Sequence, residues 1–163
     1  MVDRPPRPYS CVLVPYQADG SSMSRPLGLK RSKLTARQER EAYAAATARD
    51  SVNDIERCQR CGRYGACDRD HRQNRNPFNT TAGNLQLLGG AFSCGCHKWK
   101  TEHPQDAIRR GFAVPSWADP LEWPAWRYGV GWVLYLDEPD ERGRWCLPIQ
   151  ESEAMTHLRA HGY

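Results

Sequence analysis

The chain lacks long apolar runs. None approaches the ~18 residues of a membrane span. Near the N-terminus the apolar stretch is only Cys11 to Val14, too short for the apolar region of a secretory signal. With 26% charged and 39% hydrophobic residues, the expected form is a soluble, cytoplasmic protein with no membrane partner. Lysine is scarce: 4 residues, against 19 arginines. There is no internal repeat, and no stretch reads as a base-reading helix, which argues against strong sequence specificity. The cysteine count is odd, at seven, which argues against a secreted disulfide framework.

What is present is unevenly spread. The length of 163 residues suits one domain, or one small domain with extensions. The net charge of +4 conceals two halves. Residues 1–110 hold 19 Lys/Arg against 11 Asp/Glu, and residues 111–163 hold 4 against 8. Arginine offers a planar fork that suits phosphates, although GC-rich coding alone produces the same bias.

Residues 1–34, with Pro5, Pro6, Pro8, Pro15 and Pro26, read as a flexible arm. Thr35 with Gln38 forms a capping-box pattern. The Ala-rich run behind it predicts a helix over about 35–57, with Asp50-Ser51 as the place for any break. Lys30, Arg31, Lys33, Arg37 and Arg40 near its start read as a solvated face, with DNA contact the minority reading. Residues 58–84 predict short extended pieces and turns. A short helix is expected from His97. Another is expected from Pro104, capped by His103 and stopped at Gly111. Alternation at Val130, Trp132, Leu134 and Leu136 predicts a strand, returning through Trp145-Cys146-Leu147, and 150–161 a short helix. Trp117, Trp123 and Trp126 read as core packing ahead of base stacking.

Five cysteines fall between 58 and 96. Cys58-Gln59-Arg60-Cys61 and Cys94-Gly95-Cys96 are two close pairs, as in a structural zinc site built from two turns. Because the second spacer is one residue, Cys67 is a possible replacement for Cys94 or Cys96. Reduced thiols without metal are the bland alternative; a redox pair fits less well, since no βαβ pattern surrounds it. Cys11 and Cys146 read as small buried hydrophobes.

Three further pieces follow in order: Asp70-His71, then Asn84 in Asn84-Leu85-Gln86-Leu87-Leu88, then Cys96-His97. Singly each has a bland reading: a turn dipeptide, a turn or cap residue, and a fourth zinc ligand. With Cys58 and Cys61 ahead of them, the set resembles the HNH endonuclease family. The run Gly95-Cys96-His97-Lys98-Trp99, then Pro104, Ala107, Gly111-Phe112 and Val114, looks like the variant encoded by tailed phages of actinobacteria. The resemblance covers about 58–120.

It implies an α+β fold: a small ββα-metal core with a zinc knuckle, an N-terminal helix and a Trp-rich C-terminal β extension. The nuclease domain is expected over 35–120 and the extension over 121–163. It also implies divalent-metal-dependent hydrolysis of DNA phosphodiesters, by nicking or double-strand cleavage. Asp70 and His97 would hold Mg²⁺ or Mn²⁺, with Ni²⁺ or Zn²⁺ as options. His71 would be the general base, since an imidazole near its ordinary pKa of about 6.5 is largely neutral at pH 7. Asn84 would either pin the base-bearing loop or ligate the ion. One structural Zn²⁺ would sit at Cys58, Cys61, Cys94 and Cys96. Phage-borne relatives imply a role beside the terminase in genome packaging, in the host cytoplasm, with a monomer or weak dimer as the expected state.

Two positions depart from the family pattern. Thr101 stands where many members carry a second helix histidine, and His103 lies roughly 240° around an ideal helix from His97. Gly89 stands where a zinc-binding cysteine is expected, with Cys94 as its possible substitute. Arg60, Arg63, Arg69, Arg72, Arg75, Lys98 and Lys100 are the expected contacts to the DNA backbone. Two rivals remain: a non-catalytic zinc-ribbon DNA-binding module with a decayed site, and a zinc-stabilised interaction adaptor using the acidic tail.

Overall fold

A computed structural model describes residues 32–163. Most of the expected arm, with Cys11, Lys30 and Arg31, lies outside the described residues. The chain is α+β: four helices and three small antiparallel sheets among the described residues.

Helix α1 spans Ala36–Asp50. The expected capping box forms: Gln38 N donates to Thr35 Oγ1 at 3.3 Å and Thr35 N to Gln38 Oε1 at 2.9 Å. The helix ends at Asp50, at the expected place for a break, and does not continue to position 57. Strand β1 (Ser51–Val52) turns back into β2 (Ile55–Glu56). Asn53 and Asp54 hold the turn with positive φ of 51° and 61°, the geometry of a tight two-residue hairpin. Val52 and Ile55 continue the helical apolar spacing but find no core, and both are exposed. The last turn of α1 is instead held by charge. Arg49 donates to Ala82 O at 2.8 Å and Leu85 O at 2.6 Å, and Asp50 accepts from Leu87 N at 3.1 Å. The pair is fully buried and mutually bonded, so neither charge is left uncompensated.

Strand β3 (Cys67–His71) pairs antiparallel with β4 (Leu85–Gly89), placing Asp70 opposite Gln86 and His71 opposite Leu85. All five residues of β4 are buried, as its near-continuous apolar run requires. Helix α2 (Cys96–Glu102) follows, then α3 (Pro104–Arg109) with Pro at its first position. Gly111, at φ +76°, stops α3; a Cβ there would lie 2.5 Å from Trp126 N.

Strands β5 (Ala125–Arg127), β6 (Gly131–Tyr135) and β7 (Cys146–Pro148) form one sheet in that order, and α4 (Glu151–Ala160) closes the chain. The alternation expected on β6 is corrected. Leu134 is only half-buried, while Trp132, Val133 and Tyr135 are buried. Both faces of β6 are covered: Trp132 joins the main core and Val133 and Tyr135 a smaller one with Ala125 and Cys146.

The main core unites Leu87, Leu88, Ile108 and Phe112 with Trp123, Trp132, Ala154 and Leu158. Residues 121–163 therefore share a core with β3, β4, α2 and α3. Apolar side chains of two sheets and two helices are removed from water together.

Candidate functional site

The two cysteine turns meet. Gly62 N donates to Cys58 O and Cys58 N to Arg63 O, both at 2.9 Å, closing the first turn. Gly95, with φ +67°, supplies the left-handed residue that lets Cys94 and Cys96 face the same point across one spacer. Cys96 is the first residue of α2. The sulfurs of Cys58, Cys61, Cys94 and Cys96 lie within 4.8 Å of one another. A zinc tetrahedron with bonds of about 2.3 Å has S–S edges of about 3.8 Å, so the donor set fits that ion with small inward movement. Among the described residues this is the only such group of three or more.

Burial pushes the Cys58 and Cys96 thiols up. Burial also raises the half-buried Cys94, yet hydrogen bonds from Cys96 N and the neighbouring thiols bring it down to about 7. Cys67 stays outside the group: its Sγ bonds Gly65 O at 3.4 Å, and burial pushes it up to about 12. Gly89 explains the other departure. A Cβ at Gly89 would collide with Cys94 Sγ, so Cys94 fills the space a residue-89 side chain would take. With four sulfurs present, His97 is not needed as a zinc ligand. Arg60 lies over this cluster, donating to Cys96 Sγ at 3.4 Å with its guanidinium 3.8 Å above the Trp99 ring.

The second constellation lies between β3 and α2. Asp68 and Asp70 share one face of β3. His97 and Lys100 share one face of α2. His97 Nδ1 donates to Asp68 Oδ2 at 2.7 Å, and its Nε2 lies 3.3 Å from Asp70 Oδ1. Asp70 is buried. Its Oδ2 accepts from Gln86 Nε2 at 2.8 Å and lies 2.8 Å from Lys100 Nζ, and its Oδ1 accepts from Lys100 Nζ at 2.9 Å. Gly90 makes room for Asp68: a Cβ there would lie 2.7 Å from Asp68 Oδ2.

Does a divalent ion suit this cluster? His97 sets one ring nitrogen against each carboxylate, and an imidazole nitrogen beside a buried carboxylate oxygen is a donor pair that a divalent ion can use. The Lys100 ammonium already stands in as a cation on Asp70. Asp70 and His97 therefore fit as ion ligands.

His71 points to the other face of β3. Its Nε2 shares a hydrogen bond with Thr80 Oγ1 at 3.0 Å, and the Tyr43 ring meets it edge-on at 6.0 Å. Burial, then Arg75, lowers its pKa below the ordinary value, and Asp70 only partly opposes this. It is thus neutral at pH 7. Nδ1 has no partner among the described residues.

Asn84 is fully buried. Its Oδ1 accepts from Gln73 N at 2.8 Å, and its Nδ2 donates to Asn79 O at 2.9 Å. Both ends of the amide brace the loop that leaves His71. The side chain therefore has the loop-pinning arrangement, not that of an ion ligand. Thr101 Oγ1 bonds back to His97 O at 3.2 Å, and His103 Nδ1 contacts Trp99 O, so neither supplies a ligand.

Among the expected DNA contacts, Arg72 is corrected by its burial, and most of the others have partners within the fold. Arg72 is 1% exposed and donates to Gly83 O, Pro120 O, Trp123 O and Pro124 O. Burial lowers its pKa to about 10, which leaves it charged at neutral pH, but it cannot reach a phosphate. Arg69 is paired with Glu56 at 2.5 Å, Arg75 with Glu39 at 3.1 Å, and Lys98 with Glu102 at 3.6 Å. Lys100 is turned inward on Asp70. Arg60 and Arg63 remain without carboxylate partners among the described residues; Arg63 donates to Ser93 O at 3.2 Å.

Sequence reasoning missed Asp68, Gln86 and Thr80. Asp68 was visible as an acid two residues before Asp70, the strand repeat, but only the strand register assigns it to His97. No helix of the described residues is long and apolar enough to cross a membrane. Compared with known proteins, the chain matches no protein-family model, no curated protein and no solved structure.

Proposed function

We propose that the chain is a divalent-metal-dependent DNA endonuclease of the HNH type, built on β3, β4 and α2 and stabilised by one zinc at the four cysteines. The observation that carries the reading is the Asp68–His97–Asp70 chain of contacts, one residue from a half-buried neutral histidine. Asp70 and His97 are the residues that would hold the ion. When bound, Mg²⁺ or Mn²⁺ neutralises charge on the phosphoryl oxygens and at the leaving 3′-oxygen.

The protein's own groups do the rest. His71 takes a proton from water, and the water oxygen bonds to phosphorus as the bond to the 3′-oxygen breaks. The leaving oxygen is protonated from solvent. Thr80 fixes the orientation of the His71 ring, and Asn84 fixes the loop behind it. Arg60 and Arg63 contact the DNA backbone, giving salt-sensitive affinity with little sequence preference. The family resemblance extends the proposal to phage genome packaging beside a terminase.

A non-catalytic zinc-ribbon DNA-binding module is the second reading. Thr101 in place of a histidine, with its hydroxyl bonded to its own helix, favours it. Supercoiled plasmid incubated with zinc-loaded protein and Mg²⁺, Mn²⁺ or Ni²⁺ separates the two. Nicked or linear product supports the endonuclease. Salt-sensitive binding with no cleavage under any metal supports the module.

A further inference from the structure

Lys98 and Lys100 are neighbours on α2 with opposite fates. Lys98 has a side chain 69% exposed and lies near Glu102, as a surface helix lysine does. Lys100 has a side chain 11% exposed and is turned inward. Its ammonium donates to Asp70 Oδ1 and the carbonyl of His71 and lies 2.8 Å from Asp70 Oδ2, so the whole head group is turned onto the site.

Asp70, for its part, is only 5% exposed, and Lys100 is the one lysine or arginine paired with it among the described residues. A buried carboxylate without a counter-charge is strongly disfavoured. Lys100 meets that need with the contacts an ion would otherwise make. A divalent ion on the same oxygens would stand against an ammonium within hydrogen-bond distance, and the two would repel.

We propose that Lys100 is a built-in competitor for the divalent ion, and that its ammonium leaves Asp70 when an ion binds. The inference rests on reading Asp70 and His97 as the ion site. It makes Lys100 a positioning residue with two partners in turn: Asp70 before the ion arrives, and solvent or a substrate phosphate afterwards. It also accounts for an inward-turned, half-buried lysine beside a site with only two ligating side chains. The ion's affinity is then set by the exchange as well as by the ligand count.

The test is Mn²⁺ binding to the full, zinc-loaded chain, followed by the EPR signal of free Mn²⁺ without DNA. Lys100→Met is expected to bind Mn²⁺ more tightly, on the order of tenfold. Lys100→Arg, which keeps the charge, is expected to stay as weak as the wild type. Equal or weaker binding by Lys100→Met, with zinc content and circular dichroism unchanged, overturns the proposal. If Lys100→Met does not fold, wild-type NMR decides: Mg²⁺ should shift the Lys100 side-chain Nζ and Cε signals and speed exchange of its ammonium protons. Signals that stay fixed at saturating Mg²⁺ overturn it. Asp70→Asn separates this failure from that of the underlying reading. If it abolishes Mn²⁺ binding while Lys100→Met changes nothing, only the competitor role falls. If it binds Mn²⁺ like the wild type, the ion site itself falls, and the inference with it.

Discussion

Gly89 lies beneath Cys94, close enough that a Cβ on Gly89 would collide with Cys94 Sγ. The fourth sulfur of the cluster thus depends on the absence of a side chain one strand away. Gly89→Ala is expected to push Cys94 off the common centre and weaken zinc retention to the level of Cys94→Ser. Cys67→Ser is expected to retain one equivalent of zinc, since Cys67 bonds Gly65 O instead. Metal analysis of protein purified without chelator measures both. Less than one equivalent in the wild type would count against the cluster as a zinc site.

Asn84 distinguishes a brace from a ligand. Asn84→Ala leaves Gln73 N without its acceptor in a buried loop, at a cost of about 2 kcal/mol. Asn84→Asp keeps an acceptor but loses the donor to Asn79 O. As a brace, Asp is therefore destabilising. As an ion ligand, Asp would hold the ion as well or better. Thermal melts and Mn²⁺ titration of the two variants decide between these outcomes.

Arg72 and Arg63 stand close in sequence and differ in role. Arg72→Met leaves four backbone carbonyls without their donor and is expected to destabilise the fold by about 3 kcal/mol or more. Arg63→Gln loses only an exposed contact and should leave the melting temperature nearly unchanged. It should lower DNA affinity and reduce the salt slope by about one unit. Urea melts and binding isotherms at several salt concentrations test the pair.

His157 on α4 carries the clearest acid sensitivity away from the metal residues. Its ring meets Trp123 edge-on at 4.9 Å and lies 4.7 Å from His161. Burial, then His161, lowers its pKa, and Glu122 only partly opposes them. The unfolded chain therefore binds the proton more readily than the fold does. The His157 contribution is fully present above the ordinary histidine pKa of about 6.5 and lost as pH falls through the depressed folded value. The wild type should lose stability below that range more steeply than His157→Phe. Chemical denaturation from pH 7.5 to 5 reads the difference.

The cysteine pairs, the capping box, Pro104 and Gly111 were legible in the sequence because each is a local signal with a fixed spacing. The end of α1 was legible only as the place for a break at Asp50-Ser51, within a helix read on to 57. Val52 and Ile55 continue a helical pattern, and only the Arg49–Asp50 anchor against β4 shows why the helix stops. Arg72 was misjudged for a related reason. A sequence shows charge but not partners, and Arg72, Arg69 and Arg75 are already bonded within the fold. Asp68 needed the register of β3 against α2 before it acquired a role. The tail's place in the core depends on Trp123 and Leu158 packing with residues far away in sequence.

Phosphodiester cleavage with His71 as the base is the central claim, and one comparison tests it most directly. Zinc-loaded wild type and His71→Ala are incubated with supercoiled plasmid and Mn²⁺ at pH 7.5, and the initial nicking rates are compared. The account expects a rate loss of roughly 100-fold or more in the variant, with zinc content and DNA affinity unchanged. Nicking at the wild-type rate by His71→Ala would contradict it.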